Sequence, residues 1–416
     1  MKKPELLAPA GNLLKLKTAL AYGADAVYFG LPNFSLRVRI NHFSWQDIKE
    51  AIKIAHEHKK KVYVTVNILA HNYHLNKLRL HIRKLKKLKP DALIVSDLGV
   101  IEIIKEEWKE AELILSTQAN VSNKMSVKFF KKLGIKRIIL SRELSLKEIR
   151  EIIKENPKME IETFVHGAMC LAYSGRCFLS HYFISRNANL GDCVQPCRWE
   201  YEISPVNKNE SLILGEDKNG AYLLNSLDLC LIKRVDEMIK AGISAFKIEG
   251  RAKSVYYLAN VVGAYRDAID MYYDKVDKKE KNKRINFLYK ELDKKLVHRG
   301  LSEGLMFGKK DDNKQNFVNS KNSVNWEFCG QIESVKKINK SKYAAIFKVH
   351  NTLKLNDNLE LILAPYELKS FKLKEMYELD GKTKIVEAHG GGGGKKVLIY
   401  FDFEPMILSV LRRKLL

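Results

Sequence analysis

Short apolar runs alternate with longer amphipathic segments through the first 250 residues of the chain. The runs are continuous or have a period of two, which is typical of strands buried in a sheet, whereas the segments between them have helical spacing. The pattern therefore predicts eight strands that alternate with helices. The eight runs are ELLAPAG, ADAVYFG, KVYVTVN, DALIVSD, LILSTQA, KRIILSRE, IETFVHG and SAFKIEG.

Eight such units in one stretch of chain are typical of an α/β protein with a TIM-like (β/α)8 barrel. A doubly wound parallel sheet is the alternative. No GxGxxG motif follows the first run, which weighs against a dinucleotide-binding sheet. We therefore expect the barrel.

Polar residues and glycines lie where the predicted strands end. In a barrel all these ends meet at one rim, where the loops after the strands build active sites. A single polar residue there is often only a helix cap. So many acids, bases and amides at one rim favour an active site. They are Pro9, Gly11, Tyr28, Gly30, Asn67, Asp97, Gln118, Arg142, Glu143, His166, Glu249 and Arg251.

The pattern changes after the eighth predicted strand. A helix with an apolar and aromatic stripe leads to a charged run, a turn-rich stretch and the polar linker DDNKQNFVNSKNS. Short strand-like runs then begin near Trp326 and predict a small β-barrel or sandwich, with either an RNA-binding or a structural role. The predicted parts are a barrel at 1–255 with a cysteine-rich insertion at about 166–201, an extension with linker at 256–322, and a β-barrel accessory domain at 323–416.

The chain is strongly basic, with 73 Lys and Arg against 49 Asp and Glu and a formal net charge of +24. Such a charge attracts nucleic acid first and an anionic membrane surface second. Alternatively, the lysines simply cover solvated helix faces, as in LRLHIRKLKKLK. No run approaches the roughly 20 apolar residues of a membrane span, and the start MKKPELLAPAGN has no signal-peptide pattern. We expect a cytoplasmic protein.

Four of the six cysteines lie close together in the segment from His166 to Tyr201. Thiolates are the ligands of zinc and of iron–sulfur clusters, and four of them complete a site. Three arginines in the same segment favour thiolates, because nearby positive charge lowers a cysteine pKa. The four cysteines are Cys170, Cys177, Cys193 and Cys197, and the arginines are Arg176, Arg186 and Arg198.

Core packing and disulfide bonding are the alternatives to a metal site for these cysteines. Cysteine is often a buried core residue, as we expect for the isolated Cys230 and Cys329. Disulfides are rare in a reducing cytoplasm. The spacings Cys-x6-Cys and Cys-x3-Cys match neither a zinc ribbon nor a ferredoxin, so they do not separate zinc from an iron–sulfur cluster.

Motifs along most of the chain resemble the collagenase-like "unassigned" peptidase family. The segment ETFVHGAMCLAYSGRCFLS at 162–180 resembles the family signature. The other matching segments are PELLAPAGNLLKLKTALAYGADAVYFG, LSTQAN at 115–120, SREL at 141–144, GDCVQPCRWEY at 191–201, KIEGR at 247–251 and HRGLSEG at 298–304.

The resemblance implies a TIM-like barrel with a small C-terminal β domain. The most similar branch contains bacterial proteins needed for 5-hydroxyuridine at the tRNA wobble position, with prephenate as the implied hydroxyl source. Related members carry a 4Fe–4S cluster on cysteines of this segment. By resemblance, Cys170, Cys177, Cys193 and Cys197 are the ligands here, although Cys230 is an alternative for one of them.

The residues favour tRNA hydroxylation over proteolysis. A cysteine peptidase needs a thiolate beside a histidine, which Cys170 and His166 nominally supply. Neither GxSxG nor HExxH is present, and a peptidase has no use for four clustered cysteines. A peptidase and another cluster-dependent hydroxylase stay as alternatives.

Each rim residue receives an expected role. Arginine forks match the carboxylates of prephenate, although salt bridges that order the rim are the alternative. The expected partners are tRNA and a helper protein or redox donor. The predicted catalytic residues are His166, Glu249 and Gln118, and the predicted substrate-binding residues are Arg142, Arg176, Arg251, Tyr28 and Asn67.

Overall fold

The computed structural model describes residues 2–36, 43–199, 216–217, 220–221, 226–307, 324–391 and 394–415. The strands are β1 Glu5–Pro9, β2 Ala26–Gly30, β3 Lys61–Val66, β4 Ala92–Val95, β5 Leu113–Leu115, β6 Arg137–Ile139, β7 Glu160–Gly167, β8 Glu216–Asp217, β9 Gly220–Ala221, β10 Asp228–Cys230, β11 Ala245–Ile248, β12 Leu301–Ser302, β13 Trp326–Lys337, β14 Tyr343–Val349, β15 Leu353–Lys354, β16 Asn358–Leu363, β17 Glu367–Lys372, β18 Glu387–Ala388, β19 Lys396–Phe401 and β20 Val410–Lys414. The helices are α1 Leu13–Ala21, α2 Trp45–Glu57, α3 Leu75–Leu88, α4 Leu98–Glu107, α5 Lys124–Lys132, α6 Leu146–Glu155, α7 Leu179–Ile184, α8 Val235–Lys240, α9 Val255–Tyr273, α10 Lys278–Lys295 and α11 Gly304–Phe307.

The eight predicted runs form a closed parallel barrel. Strands β1 to β7 lie side by side in chain order, and β11 pairs with both β7 and β1 to close the sheet. The alignment of Leu7 with Ala26 and of Ala26 with Lys61 shows the parallel register. The TIM-like fold is confirmed, and closure excludes the doubly wound alternative.

Polar caps begin the barrel helices at the rim where the strands end. The side chains of Asn12, Asp97 and Asn123 accept hydrogen bonds from backbone N–H groups of the first turn, which have no partner within the helix. Ser44 and Ser145 form complete capping boxes. Asp97, one of the polar strand-end residues, is therefore a helix cap.

The long helix α9 covers the barrel beside its closing strand. It packs against α1 and β1 and buries Leu258, Val261, Val262 and Tyr265. The predicted boundary at residue 255 therefore falls on the first residue of this eighth barrel helix. The predicted linker DDNKQNFVNSKNS at 311–323 lies outside the described residues. None of the helices within the described ranges has the length and apolarity to cross a membrane.

The C-terminal residues form a separate antiparallel sheet, which confirms the predicted all-β domain. Its strand order is β17-β16-β20-β13-β14-β19. The rings of Phe371 on one edge strand and Phe401 on the other lie 5.2 Å apart. The two edges are therefore close together, which shows that the sheet curls. Cys329 is buried in the apolar core of this domain, as expected.

A buried polar interface joins the C-terminal sheet to the barrel helices. Arg412 is fully buried, and its guanidinium contacts Glu291 of α10 and Glu360 of β16. The hydroxyl of Tyr22 in the barrel donates to the carbonyl of Ile362 at 2.6 Å. Because buried charges need partners, these contacts fix the orientation in which the two parts pack.

An ionic layer crosses the barrel interior. The fully buried Glu162 accepts a hydrogen bond from Lys247 Nζ at 3.0 Å and lies 3.3 Å from Arg137 Nη1. Arg137 also contacts Glu5 at 2.5 Å, and the hydroxyl of Tyr63 donates to Glu5 at 2.9 Å. One carboxylate thus compensates two buried cations.

We expect Glu162→Gln to lower the free energy of unfolding by about 3 kcal/mol or more, because it leaves Lys247 and Arg137 buried with less compensation. Denaturant unfolding measures the change. Glu160→Gln is the matched control, since Glu160 contacts the same Arg137 at 2.8 Å but its side chain is 42% exposed; its loss should stay below about 1 kcal/mol. Equal losses in the two variants would contradict the special role of Glu162.

Candidate active site at the barrel mouth

A small cavity of about 80 Å³ opens at the rim where the barrel strands end. Most of the predicted site residues line it, drawn from the ends of five different strands and from the segment after β7. Charged and amide groups from distant parts of the sequence therefore converge on one space. The predicted residues brought together here are Tyr28, Asn67, Gln118, Arg142, Glu249, Arg251 and Cys170.

Arg142 presents a cation to this cavity with part of its guanidinium unused. Its Nη1 donates to the carbonyl of Ala168 at 2.8 Å, and the guanidinium lies 3.9 Å from the centre of the Phe164 ring. Within the described residues, its buried Nε has no hydrogen-bond partner. An unused donor on a fixed guanidinium is suited to a carboxylate.

Arg251 is held more completely than Arg142. Its Nη1 donates to Ser35 Oγ at 3.2 Å, and its Nη2 donates to the carbonyl of Leu36 at 2.8 Å. Only 5% of the residue is exposed. Arg251 therefore fixes the loop after β2 against the mouth. Of the two roles expected for the arginines, carboxylate binding and ordering of the rim, Arg251 has the second.

Lys247 is a further cation of the mouth that the sequence reasoning did not select. Its Nζ lies 4.0 Å from the centre of the Tyr28 ring, beside its partner Glu162. Burial lowers the pKa of Lys247, and Glu162 offsets part of this effect. The sequence does contain a signal that could have identified this residue, because Lys247 is a charged residue inside the apolar run SAFKIEG.

The predicted aromatic partner, Tyr28, is already engaged. Its hydroxyl donates to the carbonyl of Ile248 at 3.0 Å and lies 3.4 Å from Glu249 Oε2. Burial raises the pKa of Tyr28, so it stays a neutral donor. The amide of Asn67 is similarly occupied, because its Oδ1 accepts from Leu36 N at 3.2 Å. Both side chains order the mouth.

His166 lies behind the barrel wall rather than with the other predicted catalytic residues. A bulge shifts the register between β7 and β11, since Lys247 aligns with Phe164 but the next residue aligns with His166. The ring of His166 packs against Tyr257 and Tyr265, with centroids 5.9 and 5.6 Å apart. Burial lowers the pKa of His166 to about 3, so the imidazole is neutral near pH 7.

A second cavity of about 80 Å³ adjoins the mouth and contains all four clustered cysteines. Gln118, Cys170 and Gly175 line both cavities, so they form the boundary between the two. None of Cys170, Cys177, Cys193 and Cys197 is joined in a disulfide within the described residues.

The thiols are held by short local contacts. Cys193 Sγ accepts a hydrogen bond from Gln195 N at 3.4 Å, and Asn189 Nδ2 donates to the carbonyl of Cys177 at 3.1 Å. Burial raises the pKa of Cys177, with smaller contributions from Cys193 and Cys170. The expected lowering of the pKa by arginines is therefore wrong for Cys177.

The arginines of the segment point to other partners. Arg176 is exposed, and its Nε donates to the carbonyl of Gln118 at 2.8 Å. Arg186 lies 3.8 Å from Asp192. The side chain of Arg198 is outside the described part of the chain. Arg176 thus ties the cysteine segment to the rim from its outer side.

The four thiols share a cavity without forming a ready ion site. Across the described ranges, no group of three or more His, Cys, Asp or Glu side chains is arranged so that it could hold a metal ion. Cys230 lies apart, on β10 opposite His166, and burial raises its pKa to about 12. Four thiols line one cavity, which is the number of ligands that a cluster needs. Cys230 lies away from them and is therefore a poorer candidate for a ligand.

Two side-chain contacts anchor the cysteine segment to the barrel rim. Glu143 accepts hydrogen bonds from Ser174 N at 2.6 Å and from Ser174 Oγ at 2.5 Å, and Asn120 Nδ2 donates to the carbonyl of Tyr173 at 3.0 Å. Gly175 has φ +85°, and a Cβ there would lie 2.6 Å from Gln118 Nε2. The positive φ favours glycine at this position, and a Cβ would displace the Gln118 amide.

Comparison with known proteins identifies the family of this barrel and its cysteine segment. The model of peptidase family U32 matches residues 11–316. The chain belongs to peptidase family U32. The match covers the barrel from β2 onwards, the cysteine segment and the helices after it, so the predicted family resemblance is confirmed.

Relatives within the U32 family carry RNA-related names. The chain is 39% identical to tRNA hydroxylation protein P of Escherichia coli K12, over 94% of this chain and 93% of the relative. It is 34% identical to the 23S rRNA 5-hydroxycytidine C2501 synthase of the same organism, over 74% of this chain and 46% of the relative. The solved structure of the U32 peptidase Mk0906 is 14% identical with a TM-score of 0.40, over 60% of this chain and 94% of that one.

We expect Glu143→Ala to release the U32 cysteine segment from the rim, because it removes two charge-assisted hydrogen bonds to Ser174. Amide hydrogen exchange of peptides within 168–180 should accelerate roughly ten-fold or more, as mass spectrometry can measure. Glu148→Ala is the control: it breaks the capping box of α6 and should accelerate exchange only in that helix. Unchanged exchange at 168–180 in Glu143→Ala would contradict the anchoring role.

Proposed function

We propose that this U32 protein hydroxylates C5 of the wobble uridine of tRNA without molecular oxygen. In this proposal the four cysteines hold a 4Fe–4S cluster and prephenate is the source of the hydroxyl group. The observation that carries it is the boundary shared by the cysteine cavity and the charged barrel mouth. The RNA-hydroxylation names of the relatives support the same assignment.

The cysteine cavity suits a cluster in its donor chemistry. Four cysteine side chains line it, which is the ligand number that a 4Fe–4S cluster needs. A cluster holds its thiolates further apart than a single ion does, because irons and sulfides lie between them. When bound, such a cluster supplies one-electron transfer and iron as a Lewis acid.

The barrel mouth suits an anionic co-substrate. Prephenate carries two carboxylates, and Arg142 and Lys247 present cationic groups to the same small cavity. The unused Nε of Arg142 provides a donor that a bound carboxylate would satisfy. Glu249 lies at the same mouth beside the Tyr28 hydroxyl, where it is placed to accept or donate a proton. Gln118, at the boundary, is placed to hydrogen-bond a substrate next to the cysteines.

The barrel mouth restricts the form in which RNA can react. The charged groups line a recess between the strand ends, so a target base must leave its stack to reach them. Bases of single-stranded loops are extruded at the lowest cost. A wobble base in an anticodon loop meets this requirement, and the net charge of +24 favours association with the tRNA backbone.

Proteolysis, which the family name suggests, receives less support from the site. A cysteine–histidine peptidase needs the imidazole within hydrogen-bond reach of the thiol. Cys170 lines the two cavities, whereas His166 is buried against Tyr257 and Tyr265 and has a pKa of about 3. The pair expected from the sequence is therefore not assembled at the barrel mouth.

We expect the parent protein, purified without oxygen, to bind about four irons and four sulfides per chain and to restore 5-hydroxyuridine to tRNA from a deficient strain. Cys170→Ala and Cys193→Ala should lose both the visible absorption and the modified nucleoside, because each removes a ligand. Cys230→Ala, at the buried site on β10, should keep both.

Two results would contradict the cluster assignment. One is an iron-free parent protein that still forms the modified nucleoside. The other is loss of iron in Cys230→Ala together with retention in Cys193→Ala, which would place a ligand on β10.

We expect Arg142→Ala to raise the KM for prephenate by roughly ten- to hundred-fold, since hydrogen bonds to charged groups contribute about 1.5–3 kcal/mol. Steady-state assays with saturating tRNA measure this. Arg142→Lys should recover part of the loss, because it restores the charge without the fork. Arg150→Ala, which removes an exposed arginine of helix α6 that does not line the mouth, is the control and should stay within about two-fold of the parent. An unchanged KM in Arg142→Ala would exclude the carboxylate contact.

A further inference from the structure

A groove of about 480 Å³ lies on the rim beside the barrel mouth. It is formed by the loops after β2 and β3, the start of α2 and the first turns of α3. Aromatic and basic side chains line it together, and no acidic residue is among the described residues that do so. The side chains that matter here are Phe34, Trp45, Tyr73, His74, Lys77 and Lys84.

The groove and the mouth share their walls. In the loop after β2, Phe34 lines the groove and Leu36 lines the mouth. In the loop after β3, Ile68 lines the groove and the preceding Asn67 lines the mouth. Leu190 of the cysteine segment also borders the groove. A polymer with one unit in the mouth would thus have its neighbouring units beside this groove.

The aromatic residues at the groove leave ring surface open to solvent. Tyr73 is 69% exposed, its ring centroid lies 4.0 Å from that of His74, and the ring centroid of His71 lies 5.6 Å away. The ring of Trp45 lies 5.0 Å from His81, which forms part of the wall. Tyr73 is exposed and Trp45 is half-buried, and open ring surface of this kind is the platform on which unpaired bases stack.

The charges of helix α3 are divided between two faces. Arg79 and Arg83 form ion pairs with Glu107 of α4. Lys77 and Lys84, which face the groove, form no ion pair within the described part of the chain, and Lys84 Nζ lies 5.4 Å from the centre of the Trp45 ring. The groove therefore retains two cations without acidic partners.

One buried polar atom in the groove wall also lacks a partner. His81 is 6% exposed, and its Nε2 has no hydrogen-bond partner among the described residues. Burial lowers the pKa of His81 to about 4, so the imidazole is neutral near pH 7. A neutral ring nitrogen without a partner can hydrogen-bond the polar edge of a ligand.

We propose that this groove binds the single-stranded nucleotides that flank the base held in the barrel mouth. Their bases stack on Tyr73 and Trp45, and their phosphates contact Lys77 and Lys84. The inference rests on the proposed RNA substrate and adds the surface that holds it. The groove places aromatic rings beside cations that have no acidic partners. This arrangement matches a chain in which bases alternate with phosphates. An acidic peptide would contact the cations but would leave the rings without a stacking partner.

The test is equilibrium binding of an anticodon stem-loop RNA to the full-length protein across a range of salt concentrations. Tyr73→Ala should weaken binding roughly ten-fold, because stacking of one base contributes about 1–3 kcal/mol. The double variant Lys77→Glu with Lys84→Glu should lower the slope of log K against log salt by about 1.4, since each single-strand phosphate contact contributes about 0.7.

The matched control is Lys87→Glu with Lys132→Glu. Both lysines lie in the last turns of their helices, α3 and α5, and hence at the opposite end of the barrel from the mouth. This variant has the same change in charge and should keep the slope of the parent. Circular dichroism of every variant checks that the fold is retained.

The outcomes separate this inference from the proposed function. If the parent binds and hydroxylates tRNA but the groove variants keep its affinity and salt slope, the groove inference is wrong. If the parent neither binds nor modifies tRNA, the proposed function is wrong. If polyglutamate competes with the RNA and binds the parent and Tyr73→Ala equally, the groove is a site for an acidic protein, which also overturns the inference.

Discussion

A single buried carboxylate sets the charge balance of the barrel interior. Glu162 lies between Arg137 and Lys247 and lowers the cost of burying both cations, a role that it shares with Glu5 at Arg137. The consequence reaches the mouth. Lys247 is held where its ammonium lies over Tyr28, and the Tyr28 hydroxyl in turn lies beside Glu249. The charges that a substrate would meet are therefore positioned from within the barrel.

The cysteine segment depends on the same rim. Glu143, directly after the Arg142 that faces the mouth, accepts both hydrogen bonds from Ser174, so consecutive residues serve the charged cavity and the anchor of the thiols. Gly175 then approaches Gln118 closely enough to bring the two cavities together. A shift of this segment would change the cysteine cavity and the mouth at once, which couples local stability to the proposed chemistry.

The sequence predicts the fold well because its signals are local. Eight apolar runs with helical segments between them are sufficient to predict the barrel, and strand ends are sufficient to place Gln118 and Arg142 at one rim. The position of His166 could not be predicted in this way. Strict alternation along β7 does not reveal a bulge, and the bulge appears only in the pairing with β11. Lys247 was missed for a different reason. A lysine on a buried strand needs a partner for its charge, and that partner, Glu162, lies 85 residues away in sequence.

Net charge alone is compatible with lysines that bind nucleic acid and with lysines that only cover solvated helix faces. Helix α3 shows why the composition of the chain could not separate these two roles. Its basic residues lie on one helix, yet Arg79 and Arg83 form ion pairs with Glu107 across a helix–helix contact. Lys77 and Lys84 instead face a groove with exposed rings. A cation with an acidic partner contributes little to the attraction of a polyanion, whereas one beside a stacking surface contributes both charge and position. The distribution of acidic partners around each cation therefore decides between the two roles. This distribution is a property of the fold and cannot be obtained from the number of charged residues in the sequence.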